Sequence, residues 1–177
     1  HIELAAPVVH IWYLRGTRSW LAYLLSGTDV REELKAKQLE KVIYFAANLV
    51  TWVDADKRHE DLSNLEAELN AEKDEIVRER ELELARRMEE LETEIAALEA
   101  EGAKDSDIRS RQKAVDKDLT STRERYDEEL DLVQRSFDEF RDLHPRKIIE
   151  DEMLWRELRD RYGEYFDGGM GADALKQ

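Results

Sequence analysis

The chain has 177 residues, room for one or two domains, a net charge of −15, and 40% Asp, Glu, Lys and Arg. That charge makes it a poor free-standing nucleic-acid binder, although it is compatible with a local basic patch. There is no Cys, so a disulfide framework and a thiolate metal site are excluded, which fits a cytoplasmic protein. No apolar run reaches the roughly 18 residues of a membrane span. Glu3 and His10 interrupt the apolar stretch at residues 1–25, and no basic segment precedes it. The chain starts at His1 and stops at Lys176-Gln177 within a helical pattern. Both ends read as cut, and a longer parent is expected.

Three segments follow one another. Residues 1–53 hold Trp12, Trp20 and Trp52. Residues 2–9 read as a strand bent or ended at Pro7, which lacks the ladder donor. Helices are expected over Ser19–Leu25 and Glu32–Phe45, with Asp29 as a plausible N-cap of the second. Ala47–Val53 reads as a short strand. The core of this segment is small and is expected to lean on something outside the chain. The aromatics Trp12, Tyr13, Trp20, Tyr44 and Phe45 are expected in that core.

Residues 54–143 have no Pro, a single Gly at 102, and apolar residues at helical spacing. Leu62, Leu65 and Leu69 step by three and four. So do Leu84, Met88, Leu91, Ile95 and Leu98, and beyond Gly102 Val115, Leu119, Thr122 and Tyr126, then Leu130, Val133, Phe137 and Phe140. This is the heptad seam of a coiled coil. Gly102 suits a left-handed C′ position, and Asp105 or Ser106 a cap for the next helix. Two antiparallel helices, over residues 62–101 and 106–140, are therefore expected, each arm roughly 50–60 Å long. The seam steps by eight where seven is expected from Ile76 to Leu84 and again from Thr122 to Leu130. Folding near residue 104 makes facing positions sum to about 208, so the two irregularities meet near Arg80 and Glu128.

Residues 144–177 open with Pro145, which breaks the long helix. Asp151–Tyr162 reads as a short amphipathic helix, Gly168–Gly171 as a loop, and Ala172–Leu175 as the start of another helix. The expected class is mainly α: a long antiparallel coiled-coil hairpin projecting from a small α+β base built from the N- and C-terminal segments. The domain boundaries are 1–53, 54–143 and 144–177.

Chemistry is sparse. No two of His1, His10, His59 and His144 stand at helical ligand spacing. The many carboxylates read as a solvated coiled-coil face. No nucleophile elbow or phosphate-binding Gly-rich Lys motif occurs. The Gly168–Gly171 loop precedes a helix and can cradle an anion, but it matches no dinucleotide fingerprint and reads as a connector. No catalytic, cofactor or metal residue is expected. Arg15-Gly16-Thr17-Arg18 is the one local feature left. Two Arg on an aromatic base suit a phosphate backbone, and the residues alone fit two solvated loop arginines equally well.

Three strings carry a resemblance. HIELAAPVVHIWYLRG at residues 1–16, LEKVIYFAANLV at 39–50 and RELRDRYGEYFDGGMGADAL at 156–175 resemble, in order, the N-terminal clamp region of bacterial RNA polymerase beta-prime subunits. The intervening residues 54–143 look like the helical hairpin insertion of the actinobacterial form. The chain departs from the family at Arg18-Ser19-Trp20-Leu21-Ala22, where Trp20 stands in place of a family Arg, and Lys35-Ala36-Lys37 lengthens the next connection.

The resemblance implies a structural part of the clamp that helps hold DNA during transcription, with DNA, the other polymerase subunits and the rest of beta-prime as partners. No membrane is implied. It implies no enzyme activity for this stretch, although the parent is a nucleotidyltransferase. The parent's magnesium and zinc have their ligands outside this chain, and the coiled coil that docks sigma is a different, later segment. Arg15 stands where the family carries a basic residue, and Arg15 and Arg18 are the expected nucleic-acid contacts. The alternative is a stand-alone coiled-coil adaptor or scaffold.

Overall fold

The computed structural model describes residues 36–171. The strand at residues 2–9, the helices Ser19–Leu25 and Ala172–Leu175, the cap Asp29 and the aromatics Trp12, Tyr13 and Trp20 lie outside the described residues. The described elements are α1 (Ala36–Ile43), β1 (Asn48–Val53), α2 (Ala55–Ala100), α3 (Asp105–Arg141), β2 (Ile148–Ile149), α4 (Glu152–Tyr162) and β3 (Phe166–Gly169). The fold is mainly α, with two long helices packed against each other and a small three-stranded sheet. The chain divides into two compact units. Of the described residues, one contains those up to Leu62 and from Ser136, and the other is Ser63–Arg135.

The first unit joins segments from both sides of the hairpin. Its antiparallel sheet has the order β2-β1-β3, so β1 takes both neighbours from the C-terminal segment. Asn48 and Leu49 pair with Ile149 and Ile148 on one side. Leu49, Val50, Trp52 and Val53 pair with Gly169, Gly168, Asp167 and Phe166 on the other, with a bulge between Val50 and Trp52. The expected loop at Gly168–Gly171 is thus a strand up to Gly169. The cause is a close approach: a Cβ on Gly168 would lie 2.2 Å from the Leu49 carbonyl oxygen and 2.9 Å from the Trp155 ring. Glycine is needed there so that β3 can reach β1 beneath the indole.

Helix α4 begins at the cap Asp151, whose carboxylate accepts from the Met153 and Leu154 N–H groups. It buries Leu154, Trp155, Leu158 and Tyr162 at helical spacing. The Phe140 ring, fully buried, stacks on Tyr162 at 4.2 Å and meets Tyr165 edge-on at 5.1 Å. Arg58 on α2 donates to the carbonyls of Phe140 (3.0 Å) and Leu143 (2.6 Å). Both carbonyls lie at or just past the end of α3, where the Phe140 carbonyl also accepts from the Leu143 N–H, and a cation there suits the helix dipole.

Two expectations in this unit are corrected. Tyr44 and Phe45 are not core: they are 47% and 70% exposed. Helix α1 stops at Ile43 in a Schellman arrangement, with Ala46 N–H on the Lys41 carbonyl and Phe45 N–H on the Val42 carbonyl. Phe45 occupies the left-handed position at φ 60°, which turns its ring out of the helix face and against Gly171.

The second unit consists of α2 from Ser63 and α3 up to Arg135. Its α2 portion is about 57 Å long at 1.5 Å per residue. Leu69, Ile76, Leu84, Leu119 and Val133 are buried along the seam. Gly102 sits at φ 73°, with its N–H on the Glu99 carbonyl and the Ala103 N–H on the Leu98 carbonyl, as expected for its C′ role. Helix α3 begins at Asp105, so the cap position falls to Lys104 and not to Asp105 or Ser106. The Lys104 carbonyl accepts from Asp107 and Ile108, and the Asp105 and Asp107 carboxylates complement the dipole from the first turn. Met88 is a further correction. It is 50% exposed, and the seam passes through half-buried Arg87 instead.

Candidate functional site

Arg15 and Arg18, the expected nucleic-acid contacts, lie outside the described residues. What is described is the unit that follows them in the chain and the hairpin.

In the first unit the functional question concerns rigidity. Asp54 caps α2 through the Lys57 N–H at 3.0 Å, and the Asp54 N–H donates to the Tyr165 carbonyl at 2.7 Å. The Tyr165 hydroxyl in turn donates to Asp61 at 2.8 Å. With the Arg58 bonds, these contacts fix the inner ends of both long helices to the α4–β3 corner. On the other side, the buried Asn48 amide donates to Glu152 at 3.2 Å, and Lys41 pairs with Glu150 at 2.7 Å.

In the hairpin the irregular steps form a polar layer. Glu83 and Leu84, adjacent in sequence, both turn toward α3, as an extra residue in the seam requires. Leu84 is buried. The Glu83 carboxylate accepts from the Tyr126 hydroxyl (2.7 Å), Arg125 (2.8 Å) and Arg87 (3.5 Å). The Tyr126 hydrogen bond, aided by the two guanidinium charges, holds the Glu83 carboxyl below the usual carboxylate range against the opposing effect of burial. The same bond raises the Tyr126 phenol. Arg80 reaches Asp127 at 3.0 Å and Lys73 reaches Gln134 at 2.8 Å. These pairs place the two irregularities opposite each other, within a residue of the expected register.

Nearer the turn, Arg111 grips Glu94 with two donors, at 2.5 and 2.9 Å, which lowers the Glu94 carboxyl. Arg87 also bonds Asp118. A shallow groove of about 270 Å³ runs between these residues, lined by Leu91, Ala114 and Val115 among others. Its cations are already paired with its own carboxylates, and it presents no converging donors for a ligand. Glu83 stays ionised and hydrogen-bonded to cations, which suits a structural anion and not a proton carrier.

Among the described residues no three His, Asp or Glu side chains group as metal ligands, and the chain has no Cys. Among the described residues no helix is long and apolar enough to cross a membrane. Sequence reading marked the eight-residue steps but not the Glu83 layer that fills them. It also passed over Arg109, Lys113 and Lys117, a basic i, i+4, i+8 series on α3.

No family model matches the chain. Curated relatives do. The DNA-directed RNA polymerase subunit beta′ of Acidothermus cellulolyticus is 50% identical over 177 residues, all of this chain and 13% of that protein. The subunit of the same name from Nocardia farcinica is 47% identical over 178 residues, and that from Mycobacteroides abscessus 46% over 177, each again across 100% of the chain and 13% of the relative. The match runs through the hairpin as well as both flanks. Along its whole length, this chain is homologous to a segment, 13% of the total, of actinobacterial DNA-directed RNA polymerase beta′ subunits.

Proposed function

We propose that the chain is a non-catalytic structural part of a DNA-directed RNA polymerase. Residues 1–53 and 144–177 form a piece of the clamp that closes over DNA, and residues 54–143 are a coiled-coil insertion set into it. The observation that carries this reading is the 50% identity to a beta′ subunit across the entire chain. A stand-alone adaptor would have no reason to share both flanks and the hairpin with that subunit in one order.

The geometry supports a mechanical role. The strands on either side of the hairpin pair with each other, so the insertion starts and ends in one sheet. Aromatic stacking and the Arg58 bonds hold that junction. Nucleotidyl transfer, with its magnesium and zinc, belongs to parts of the parent outside this chain. The exposed Tyr44 and Phe45 suit a surface covered by the rest of beta′ or by another subunit. Arg15, with Arg18 as the weaker member, contacts the phosphate backbone of the DNA.

The test is excision of residues 56–142 from the full-length subunit, with the gap closed. The assembled polymerase should still add nucleotides, while open-complex lifetime or salt sensitivity changes. Loss of all elongation by a correctly assembled deletion enzyme would contradict a tuning role.

A further inference from the structure

The cations of the hairpin differ in their partners: Lys73 and Arg78 donate to Gln134 and to the Asp74 carbonyl. Arg80, Arg86, Arg87, Arg111, Arg125 and Arg135 form ion pairs. Arg109, Lys113 and Lys117, like Lys104 and Arg123, are exposed, and their side chains enter no ion pair or hydrogen bond among the described residues. At 100° per residue, Lys113 and Lys117 point away from the seam residues Val115, Leu119 and Thr122, with Arg109 at the margin. The residues sharing their face between 106 and 121 are Ser106, Ser110, Thr120 and Ser121, with one carboxylate, Asp116, at the edge beside Arg109. Asp105, Asp107 and Asp118 fall on the flanks. Past Lys117 the outward face changes sign, at Glu124, Glu128 and Asp131. The outward face of α2 mixes both signs, with Asp74, Glu89 and Glu92 alongside Arg78 and Arg86.

We propose that this face of α3, from Ser106 to Ser121, docks the phosphate backbone of duplex DNA. Arg109, Lys113 and Lys117 supply the charge and the interleaved hydroxyls supply further donors. The proposal rests on the reading that the parent enzyme holds DNA. The series spans about 12 Å of helix, a length over which one DNA strand presents three to four phosphates. The face has no aromatic side chain, so it offers no stacking platform for single strands and no reason for base specificity. The hairpin as a whole is acidic, with 23 Asp and Glu against 13 Lys and Arg over residues 63–135. That excess repels DNA from the other faces and leaves one orientation of approach.

The experiment uses the polymerase assembled with the full-length subunit and duplex DNA of two unrelated sequences. Arg109→Gln, Lys113→Gln and Lys117→Gln are combined, since Gln keeps helix propensity close to that of Lys and Arg. The salt slope of log K should fall by about two to three units, equally on both sequences. A photocrosslinker at position 113 should label DNA. An unchanged slope with crosslinks only to another protein subunit would overturn the proposal in favour of an acidic protein surface. An unchanged slope with no crosslink would overturn it in favour of a solvated face. If the wild-type enzyme formed no salt-dependent complex at all, the underlying reading of the parent would fail, and this would be visible before any variant was compared.

Discussion

The Tyr126 hydroxyl donates a 2.7 Å hydrogen bond to Glu83 across the hairpin, at the place where both helices carry one residue too many for a heptad. The extra residue is accommodated by a polar layer, with Arg87 and Arg125 closing it from either side.

This layer makes the hairpin's stability depend on pH in a defined direction. The Glu83 carboxyl is depressed in the folded chain, so its contribution is present above the ordinary Glu value of about 4.3 and is lost as pH falls through and below it. The Tyr126 phenol is raised, so its contribution is present below about 10 and is lost as pH rises beyond it. Thermal unfolding of the chain between pH 7 and pH 3 should show a smaller loss on acidification for Glu83→Gln than for the wild type. Equal losses would mean that Glu83 does not titrate with folding.

Leu84 and Met88 stand one turn apart and should respond oppositely to truncation. Leu84 is 5% exposed and Met88 50%. Leu84→Ala should cost about 2–5 kcal/mol, and Met88→Ala no more than about 0.5 kcal/mol. Denaturant unfolding of the two variants measures this. A larger loss for Met88 would return the seam to the simple heptad reading.

Gly168→Ala should disrupt the sheet. The new methyl would meet the Leu49 carbonyl, which is backbone and cannot swing aside. A loss of at least about 1–3 kcal/mol is expected, as for overpacked cores. Gly169→Ala is the control, because nothing lies within 4 Å of a Cβ there. Equal stability of the two variants would remove the close approach of β3 to β1.

Arg58→Met keeps much of the aliphatic stem but leaves the Leu143 carbonyl without its donor and the Phe140 carbonyl with the Leu143 N–H alone. The expected loss is about 1.5–3 kcal/mol for hydrogen bonds to a charged group. Hydrogen exchange should report it first in the last turn of α3. Unchanged protection there would show that solvent satisfies these carbonyls equally well.

Arg15→Ala in the assembled polymerase should weaken DNA complexes similarly on unrelated sequences and lower the salt slope by about one unit. Unchanged complex stability and slope would leave Arg15 a solvated loop residue.

Much of the architecture was legible in the sequence because helical period is a local property. The hairpin, its turn at Gly102, its register at the irregular steps to within a residue, the strand after α1 and the α4 helix all follow from spacing, capping and Gly or Pro placement. Residues whose environment comes from distant segments were not legible. Tyr44 and Phe45 have core composition, yet the left-handed φ of Phe45 turns its ring outward. Gly168 and Gly169 carry loop composition, yet β1, more than a hundred residues earlier, pairs them into a strand. Glu83 and Arg87 resemble any other charges on a solvated face until Tyr126 and Asp118 arrive from the opposite arm. Local propensity is written in neighbours along the chain. Burial, pairing and charge satisfaction depend on what the fold brings across, and here the hairpin brings together residues from 17 to 120 positions apart.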